Sequence, residues 1–253
     1  NNKNIFFIGD SHMSSILYDL INRDDLKSYN IHTYTFGGCS YFPYFSRIDS
    51  KTNKISELCN TETIEKIKNA ILDKNNSLIV SFSRLPLYFS LERFNNEEGG
   101  IEGGKINWGH KFTNSGEILY KNLEDSYVDE MLLLANNGHK IILIYPYPEA
   151  GWHVPTRLAS MLPKWWNNIP TFLENPLNFL STSFEVYIKR TAHTKKILSK
   201  LNHPNITFIY PHTLICNTLL KNRCLNHDDK NLYYRDDDHP SEYTSKKIND
   251  LLI

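Results

Sequence analysis

A serine near the amino terminus occupies a position that suits a nucleophile. Ser11 belongs to the tetrapeptide Gly9-Asp10-Ser11-His12, which directly follows an apolar run at residues 5–8. A serine nucleophile needs a base that removes its proton and hydrogen-bond donors that hold the developing oxyanion. The amino terminus of a following helix would supply partial positive charge for the second task. Taken alone, Ser11 is more often a helix N-cap than a nucleophile.

A histidine near the carboxyl terminus could supply the base. Asp236 precedes His239 by three residues, just before Pro240 and Ser241. On a tight turn this spacing lets the carboxylate bind one imidazole nitrogen while the other points outward, as in two members of a catalytic triad. A solvated acidic turn before a final helix is the alternative for this segment alone. The joint occurrence of Ser11 and Asp236-x-x-His239 is much more specific, and it predicts a Ser-His-Asp triad.

These residues need a scaffold that brings the two ends of the chain together. Apolar strand-like runs alternate with helical stripes along the sequence. We predict strands at residues 5–8, 31–36, 78–82, 140–145 and 206–209, and helices after Ser11, over 64–72, and over about 116–137, 183–202 and 241–252. This alternation predicts a three-layer α/β/α fold with a mostly parallel five-stranded sheet, in one domain over residues 1–253.

Ligands of such sheets bind beyond the carboxyl ends of the strands. Two irregular regions border that edge: residues 86–115, with a turn or hairpin insertion at 97–104, and residues 149–182, which we expect to cover a site. The second region contains four ring side chains that either stack on sugars or, for most of them, pack the loop onto the domain. They are Trp152, His153, Trp165 and Trp166.

Composition excludes several classes of protein. The 253 residues carry 28 basic and 28 acidic side chains, so there is little support for binding to nucleic acid or anionic lipid. A mean hydropathy of -0.45 and the lack of a long apolar run exclude a transmembrane span in this sequence. The ten histidines are scattered without metal-ligand spacing, so we predict no metal site. The start at Asn1, with no signal peptide, suggests an excised piece of a longer protein.

The four cysteines form two pairs that are close in sequence. Cys39 and Cys59 form one pair, Cys216 and Cys224 the other, and neither has the spacing of a zinc or thioredoxin-type site. Disulfides within each pair would indicate an oxidising compartment, and four free thiols a cytosolic protein. The polar, loop-like flanking segments favour the disulfides.

The motifs at the two ends resemble the first and last blocks of the SGNH/GDSL hydrolase superfamily. Further features resemble one subgroup, the SGNH domain fused to membrane acyltransferase-3 proteins. These are Ser83-Arg84 after the third strand, Tyr145-Pro146-Tyr147-Pro148-Glu149, the cysteine pairs, and Tyr-Tyr-x-Asp-Asp-Asp-His at 233–239. The resemblance runs from about residue 4 to 252 and implies the flavodoxin-like SGNH fold.

The resemblance implies a bacterial glycan O-acetyltransferase that works in the periplasm, tethered to the inner membrane in the full-length protein. Its acceptor would be O-antigen, another surface polysaccharide or peptidoglycan. The membrane domain would bring an acyl group from acetyl-CoA across the membrane, and this domain would bind no cofactor itself. Carried over, Ser11 takes the acetyl group as an ester, His239 is the base for Ser11 and then for the acceptor hydroxyl, and Asp236 holds the imidazole tautomer.

One block of the superfamily is absent, the Gly-x-Asn-Asp whose Asn donates to the oxyanion. The backbone N–H groups of Ser11 and Gly38 would still form a two-donor oxyanion hole. Whether Ser83 or Arg84 replaces the Asn is open, and Arg84 could instead form a surface ion pair. Gly38 has the alternative role of a turn glycine.

Three competing functions use the same residues differently. A secreted esterase would use the triad with water as the acceptor, and a glycan-binding domain would keep the fold without catalysis. A flavodoxin-like phosphate or flavin binder needs a Ser/Thr/Gly-rich first loop, which Gly9-Asp10-Ser11-His12 matches poorly. Asp10 is expected to order the Ser11 turn, and His12 either faces the pocket or forms a structural hydrogen bond.

Overall fold

The computed structural model describes residues 3–112, 122–161 and 180–252. In chain order its strands are β1 (Lys3–Gly9), β2 (Tyr29–Thr35), β3 (Phe45–Asp49), β4 (Leu78–Phe82), β5 (Trp108–Phe112), β6 (Lys140–Ile144), β7 (Ser181–Ser183), β8 (Ile206–Ile209) and β9 (Arg223–Leu225). Its helices are α1 (Ser11–Ile21), α2 (Thr61–Leu72), α3 (Leu85–Ser90), α4 (Leu123–Asn136), α5 (Val154–Met161), α6 (Phe184–Leu198) and α7 (Glu242–Asn249).

A five-stranded sheet with the order β2-β1-β4-β6-β8 lies at the centre of the molecule. Each pair of neighbouring strands is parallel. These are the five strands that the apolar runs predict, so the predicted α/β class and parallel sheet are confirmed.

The side chains of β1 show why the sheet is covered on both faces. Phe6 and Ile8 belong to one hydrophobic core, while Ile5 and Phe7 belong to a second core. Successive side chains of a strand point to opposite faces, so the two cores lie on the two sides of the sheet. Helices α2 and α4 contribute to the first core, and helices α1 and α7 to the second. This arrangement is the predicted three-layer sandwich.

A close contact fixes the end of β1 against β4. Gly9 pairs in register with Phe82, and a Cβ at Gly9 would lie 2.0 Å from the Phe82 carbonyl oxygen. Only glycine allows this approach. The residues that follow, Asp10 and Ser83, therefore leave the sheet side by side at its carboxyl edge.

Several short elements were not predicted: the antiparallel pairs β3–β5 and β7–β9, and the helices α3 and α5. Helix α3 buries four of its six residues, so it lacks the one-sided apolar stripe that identifies a helix in a sequence. The insertion predicted at 97–104 is a hairpin-like turn, closed by an antiparallel bridge between Asn95 and Ile101.

Caps set the ends of the longer helices. Helix α4 begins after Asn122, whose side chain accepts a hydrogen bond from the Asp125 N–H, so it starts later than the predicted residue 116. Residues 113–121 lie outside the described part of the chain. Helix α7 begins after Ser241, which caps the Thr244 N–H, and ends three residues before the predicted boundary at 252.

All four cysteines are paired in the two disulfides that their flanking segments favour. Cys39 is bonded to Cys59 and Cys216 to Cys224. The first disulfide closes the loop that follows Gly38, and the second joins the segment after β8 to β9. Two disulfides fit a protein of an oxidising compartment.

Candidate active site

The turn that carries Ser11 is held by the carboxylate of Asp10. Asp10 is buried, and its side chain accepts hydrogen bonds from the backbone N–H of His12 at 2.8 Å and of Arg84 at 2.9 Å. The first bond caps α1, and the second ties the ends of β1 and β4 together. Ser11 is therefore the first residue of α1, at the sheet edge where ligands bind in this fold class.

The structure brings Ser11, His239 and Asp236 together across 228 residues of sequence. Ser11 Oγ lies 2.7 Å from His239 Nε2. On the other side of the ring, His239 Nδ1 lies 2.9 Å from Asp236 Oδ2 and 3.1 Å from Oδ1. A carboxylate only accepts hydrogen bonds, so Nδ1 carries the hydrogen and Nε2 is left to accept the serine proton. This geometry is that of a nucleophile, a base and an orienting group.

Backbone hydrogen bonds fix the turn that carries the base. Asp236 Oδ1 accepts from the N–H groups of Asp238 at 3.1 Å and His239 at 2.8 Å. The carbonyl of Asp236 accepts from Val154, and that of Asp237 from Ala150 and Gly151. The turn is thus attached to the loop that follows β6, as expected for a site at one edge of a parallel sheet.

The surroundings of His239 favour its charged form. Burial alone would lower the pKa of the imidazole, but contacts with Asp236 and Asp238 raise it from 6.5 to about 9. Burial opposes ionisation of Asp236, yet hydrogen bonds from His239 hold the pKa of this carboxyl below its ordinary value. The side chains remain accessible, with 17% of His239 and 27% of Asp236 exposed.

The glycine expected to donate to the oxyanion lies in a turn beside the end of β1. Gly38 has a φ of 67°, which favours glycine, and its carbonyl accepts from Arg47 Nη1 at 2.8 Å. The Phe36 N–H donates to the Gly9 carbonyl at 3.3 Å, so this turn runs alongside the end of β1. A donor role for the N–H groups of Gly38 and Ser11 remains a prediction.

The guanidinium of Arg84 is occupied by carboxylates. Its Nε lies 2.6 Å from Glu149, and its terminal nitrogens lie 2.9 and 2.7 Å from the two oxygens of Glu102. Nη1 also lies 3.1 Å from Asp238 Oδ2, and the side chain is only 8% exposed. This geometry argues against an oxyanion role for Arg84, and it also differs from the alternative of a surface ion pair. Arg84 instead anchors the segment that carries His239.

Ser83 accepts a hydrogen bond of 2.7 Å from the Ser40 hydroxyl, and both serines are buried. A Ser83 role in place of the absent Asn therefore stays open. His12 is buried, and its Nε2 lies 2.9 Å from Asp238 Oδ2, which agrees with the structural hydrogen bond considered above. The roles of Glu102, Glu149 and Asp238 were not expected from the sequence, because each of them contacts Arg84 only in the folded chain.

The ring side chains of the 149–182 region differ in their surroundings. Trp152 donates from Nε1 to Asn226 at 2.9 Å, so it packs the loop onto the domain. His153 is exposed and lies 2.9 Å from the Thr156 hydroxyl. Trp165 and Trp166 lie outside the described residues.

A family comparison decides how this geometry is interpreted. The model for the SGNH domain fused to AT3 domains matches residues 1–253. The chain belongs to this family. The protein is accordingly an SGNH enzyme of the serine-dependent esterase or acyltransferase type, and its family supports a membrane acyltransferase domain as its partner.

Two solved structures are similar to this SGNH domain, and the first shares its fold. One is the periplasmic domain of a lipopolysaccharide acetyltransferase from Salmonella ser. Paratyphi A, with 14% identity and a TM-score of 0.59 over 100% of this chain and 82% of that chain. Another is a GDSL-like lipase from Bacteroides thetaiotaomicron, with 11% identity and a TM-score of 0.47 over 99% of this chain and 86% of that one. The search of curated proteins gave no match.

Two further properties of the SGNH domain concern membrane-spanning helices and possible metal ligands. Among the described residues, no helix is both long and apolar enough to span a bilayer. Potential metal ligands from His12, Asp238 and His239 lie within 4.8 Å of one another. Their atoms already take part in the contacts described above, and the expectation of no metal stays a prediction.

Proposed function

We propose that this domain is an O-acetyltransferase that moves an acetyl group, through an ester on Ser11, to a hydroxyl of an extracytoplasmic glycan. The observation that carries the proposal is the alignment of Ser11, His239 and Asp236 in a domain whose family is fused to AT3 domains. The triad supplies acyl chemistry, and the fused domain supplies a membrane-borne source of acyl groups.

In the first step Ser11 Oγ attacks the carbonyl carbon of the acetyl donor. His239 Nε2 takes the serine proton, while Asp236 holds the Nδ1 hydrogen and stabilises the imidazolium. The N–H groups of Ser11 and Gly38 donate to the oxyanion. When the bond to the donor breaks, His239 returns the proton to the leaving group, and the acetyl group stays on Ser11.

In the second step a sugar hydroxyl attacks the acetyl-serine ester. His239 Nε2 takes the proton of this hydroxyl, and the new C–O bond forms as the bond to Ser11 Oγ breaks. His239 then gives the proton to Ser11, so the enzyme returns to its starting state. Acetyl-CoA is the ultimate donor through the membrane domain, and this domain binds no cofactor of its own.

An extracytoplasmic location is part of the proposal. The two disulfides support it, because such bonds persist in oxidising compartments. A structurally similar domain is described as the periplasmic domain of a lipopolysaccharide acetyltransferase. We infer that the domain faces the periplasm, tethered by its membrane partner domain, where O-antigen, other surface polysaccharides and peptidoglycan are the candidate acceptors.

A second candidate is an esterase that removes acetyl groups. It is favoured by the partial exposure of His239 and Asp236, which leaves room for water as the acceptor. The chemistry is identical except that water replaces the sugar hydroxyl. A binding domain without catalysis has less support, because a hydroxyl at 2.7 Å from an oriented imidazole is unnecessary for binding alone.

Glycan acetylation in intact cells separates these functions by the sign of the effect. Cells would carry the full-length protein either as wild type or as Ser11→Ala, and the acetyl content of each surface glycan would be measured. A transferase predicts that the variant lowers the acetyl content of one glycan. A rise would establish an esterase, and an unchanged content in all glycans would contradict both enzymatic proposals.

A further inference from the structure

A second carboxylate lies beside the imidazole nitrogen that Asp236 binds. Asp238 Oδ1 is 3.1 Å from His239 Nδ1, while Asp236 Oδ2 is 2.9 Å from the same atom. Nδ1 carries one hydrogen, which bonds to Asp236, so Asp238 contributes mainly through its charge and as a second acceptor. The triad motif Asp236-x-x-His239 does not include this group.

The other oxygen of Asp238 is held by two donors. Oδ2 lies 2.9 Å from His12 Nε2 and 3.1 Å from Arg84 Nη1. A carboxylate only accepts, so the hydrogen of His12 resides on Nε2. His12 Nδ1 has no hydrogen-bond partner among the described residues, and the whole ring is buried. Since both oxygens of Asp238 are engaged, its carboxylate has a fixed orientation.

The cluster behind Arg84 leaves the charge of Asp238 incompletely neutralised. Arg84 contacts three carboxylates, those of Glu102, Glu149 and Asp238. Glu149 has a second partner in Arg190, at 2.8 Å, and Glu102 in Arg93. Asp238 is the carboxylate of this cluster that faces the imidazole instead of a second arginine. Its charge therefore acts on His239.

We propose that Asp238 is a second positioning carboxylate for the His239 imidazole, fixed in place by Arg84 and His12. The inference rests on the proposed function, in which His239 is the base of both acyl-transfer steps. An imidazolium forms transiently in each step, and two carboxylates on Nδ1 stabilise it more than one. Removal of Asp236 would then leave part of the orienting function in place.

The groups that face His239 define what a titration of this residue would report. Asp236 and Asp238 lie at Nδ1, the Ser11 hydroxyl lies at Nε2, and the His12 ring centroid is 4.9 Å from that of His239. Behind them, Arg235 lies 3.6 Å from Asp236, and Arg84 contacts Asp238. Burial lowers the pKa of His239, but its hydrogen bonds to the two carboxylates raise it, and of these the bond to Asp236 contributes most.

The test is a titration of the His239 ring by nuclear magnetic resonance, on the domain with nitrogen-labelled histidine. Asp238→Asn is compared with Asp237→Asn. The control also removes a carboxylate from this turn, but one that does not contact Nδ1 of His239. We expect Asp238→Asn to lower the midpoint by about one pH unit or more, because an opposite charge at this distance is lost. The control is expected to change the midpoint less.

The pH dependence of ester turnover is a second measurement, and a purely structural role of Asp238 would not change it. In Asp238→Asn the rate on the alkaline plateau is expected to fall about tenfold while the pH midpoint moves down with the titration. Asp236→Asn is expected to cost about a hundredfold, and the double variant about 10⁴-fold, which is the loss typical of a triad with one carboxylate. Asp236 is more exposed than Asp238. If Asp238→Asn does not fold, the turnover of Asp236→Asn is therefore used as the test.

Equal midpoints in Asp238→Asn and Asp237→Asn would overturn the proposal. The proposal would also be overturned if a folded Asp236→Asn variant lost the full 10⁴-fold of ester turnover, since Asp238 would then contribute nothing. The titration needs no substrate. If wild type never forms an acetyl-serine, the proposed function fails, while the titration still reports whether Asp238 acts on His239.

Discussion

The segment from Asp236 to His239 has an open side and a closed side. On the open side, which faces Ser11, 17% of the His239 side chain and 27% of Asp236 are exposed. On the closed side, which faces Arg84, the exposed fractions are 6% for Asp238 and 8% for Arg84. Both sides are built from charged groups, yet they differ in access to solvent.

The difference follows from what each side must do. A base that exchanges protons with a serine and an acceptor must be reachable by both, so it cannot be enclosed. A group that holds the base in place gains rigidity from burial, provided that its charge is paired. We therefore expect the open side to act through chemistry and the closed side through position.

The largest effect is expected on the open side. Ser11→Ala and His239→Ala should each reduce the turnover of p-nitrophenyl acetate by about 10³–10⁴-fold, and the double variant by no more than either, because the residues act as a unit. Thermal unfolding should change little. The control is Ser14→Ala, whose hydroxyl bonds the Asp10 carbonyl at 3.3 Å and should leave turnover near the wild-type rate. Additive losses, or an active Ser11→Ala, would contradict a shared mechanism.

The closed side should show its largest effect in stability. Arg84→Met leaves Glu102, Glu149 and Asp238 without their shared partner, and it should lower the free energy of unfolding by about 3–5 kcal/mol. Lys200→Met is the matched control, since the Lys200–Asp125 pair is half exposed and should contribute less than about 1 kcal/mol. Urea denaturation measures both. Equal losses in the two variants would show that burial does not distinguish these ion pairs.

The two disulfides are expected to differ in their effect on turnover, because one of them closes the loop after Gly38. Their sequence separations are 20 and 8 residues. From loop closure, replacing Cys39 and Cys59 by serine should cost about 3 kcal/mol, and replacing Cys216 and Cys224 about 2.5 kcal/mol. Turnover should fall more in the first variant, because Gly38 adjoins that loop. A greater loss of turnover in the second variant would show that turnover does not depend mainly on the loop closed by Cys39 and Cys59.

The pH dependence reports the charges that act on the imidazole from both sides. With the pKa of His239 at about 9, kcat/KM should rise nearly tenfold per pH unit at neutral pH and level off above about 9. The folded pKa is raised above the ordinary 6.5, so the stabilisation by the imidazolium is complete below 6.5 and is lost as the pH rises through 9. Urea denaturation across this window, compared with His239→Ala, measures the loss. A midpoint of kcat/KM near 6.5 would show that the carboxylates do not hold the proton.

The open side was predictable from the sequence, and the closed side was not. Ser11 follows a strand-like apolar run, and Asp236-x-x-His239 is a local pattern that any turn can close, so both could be located without coordinates. Four of the five strands of the sheet were predictable for the same reason, since β1, β4, β6 and β8 contain short apolar runs, whereas β2 mixes apolar and polar residues.

The closed side depends on contacts between distant segments. Glu102 lies on an inserted turn and Glu149 in the loop after β6, and only the fold brings both to Arg84. From the sequence alone, Arg84 after β4 was a candidate oxyanion donor with a surface ion pair as the favoured alternative. Buried charge pairing is a tertiary property, so no periodicity or spacing signals it.

The role of Ser11 as the nucleophile is tested most directly by finding which residue carries the acyl group. The domain is mixed with p-nitrophenyl acetate, quenched in acid, and analysed by intact mass and peptide mapping, alongside Ser11→Ala. If Ser11 is the nucleophile, we expect one acetyl group on the peptide that contains Ser11, its absence in the variant, and its loss when acceptor glycan is added. Acetylation of Ser11→Ala to the same extent, or an acetyl group that maps only to other residues, would show that Ser11 is not the nucleophile.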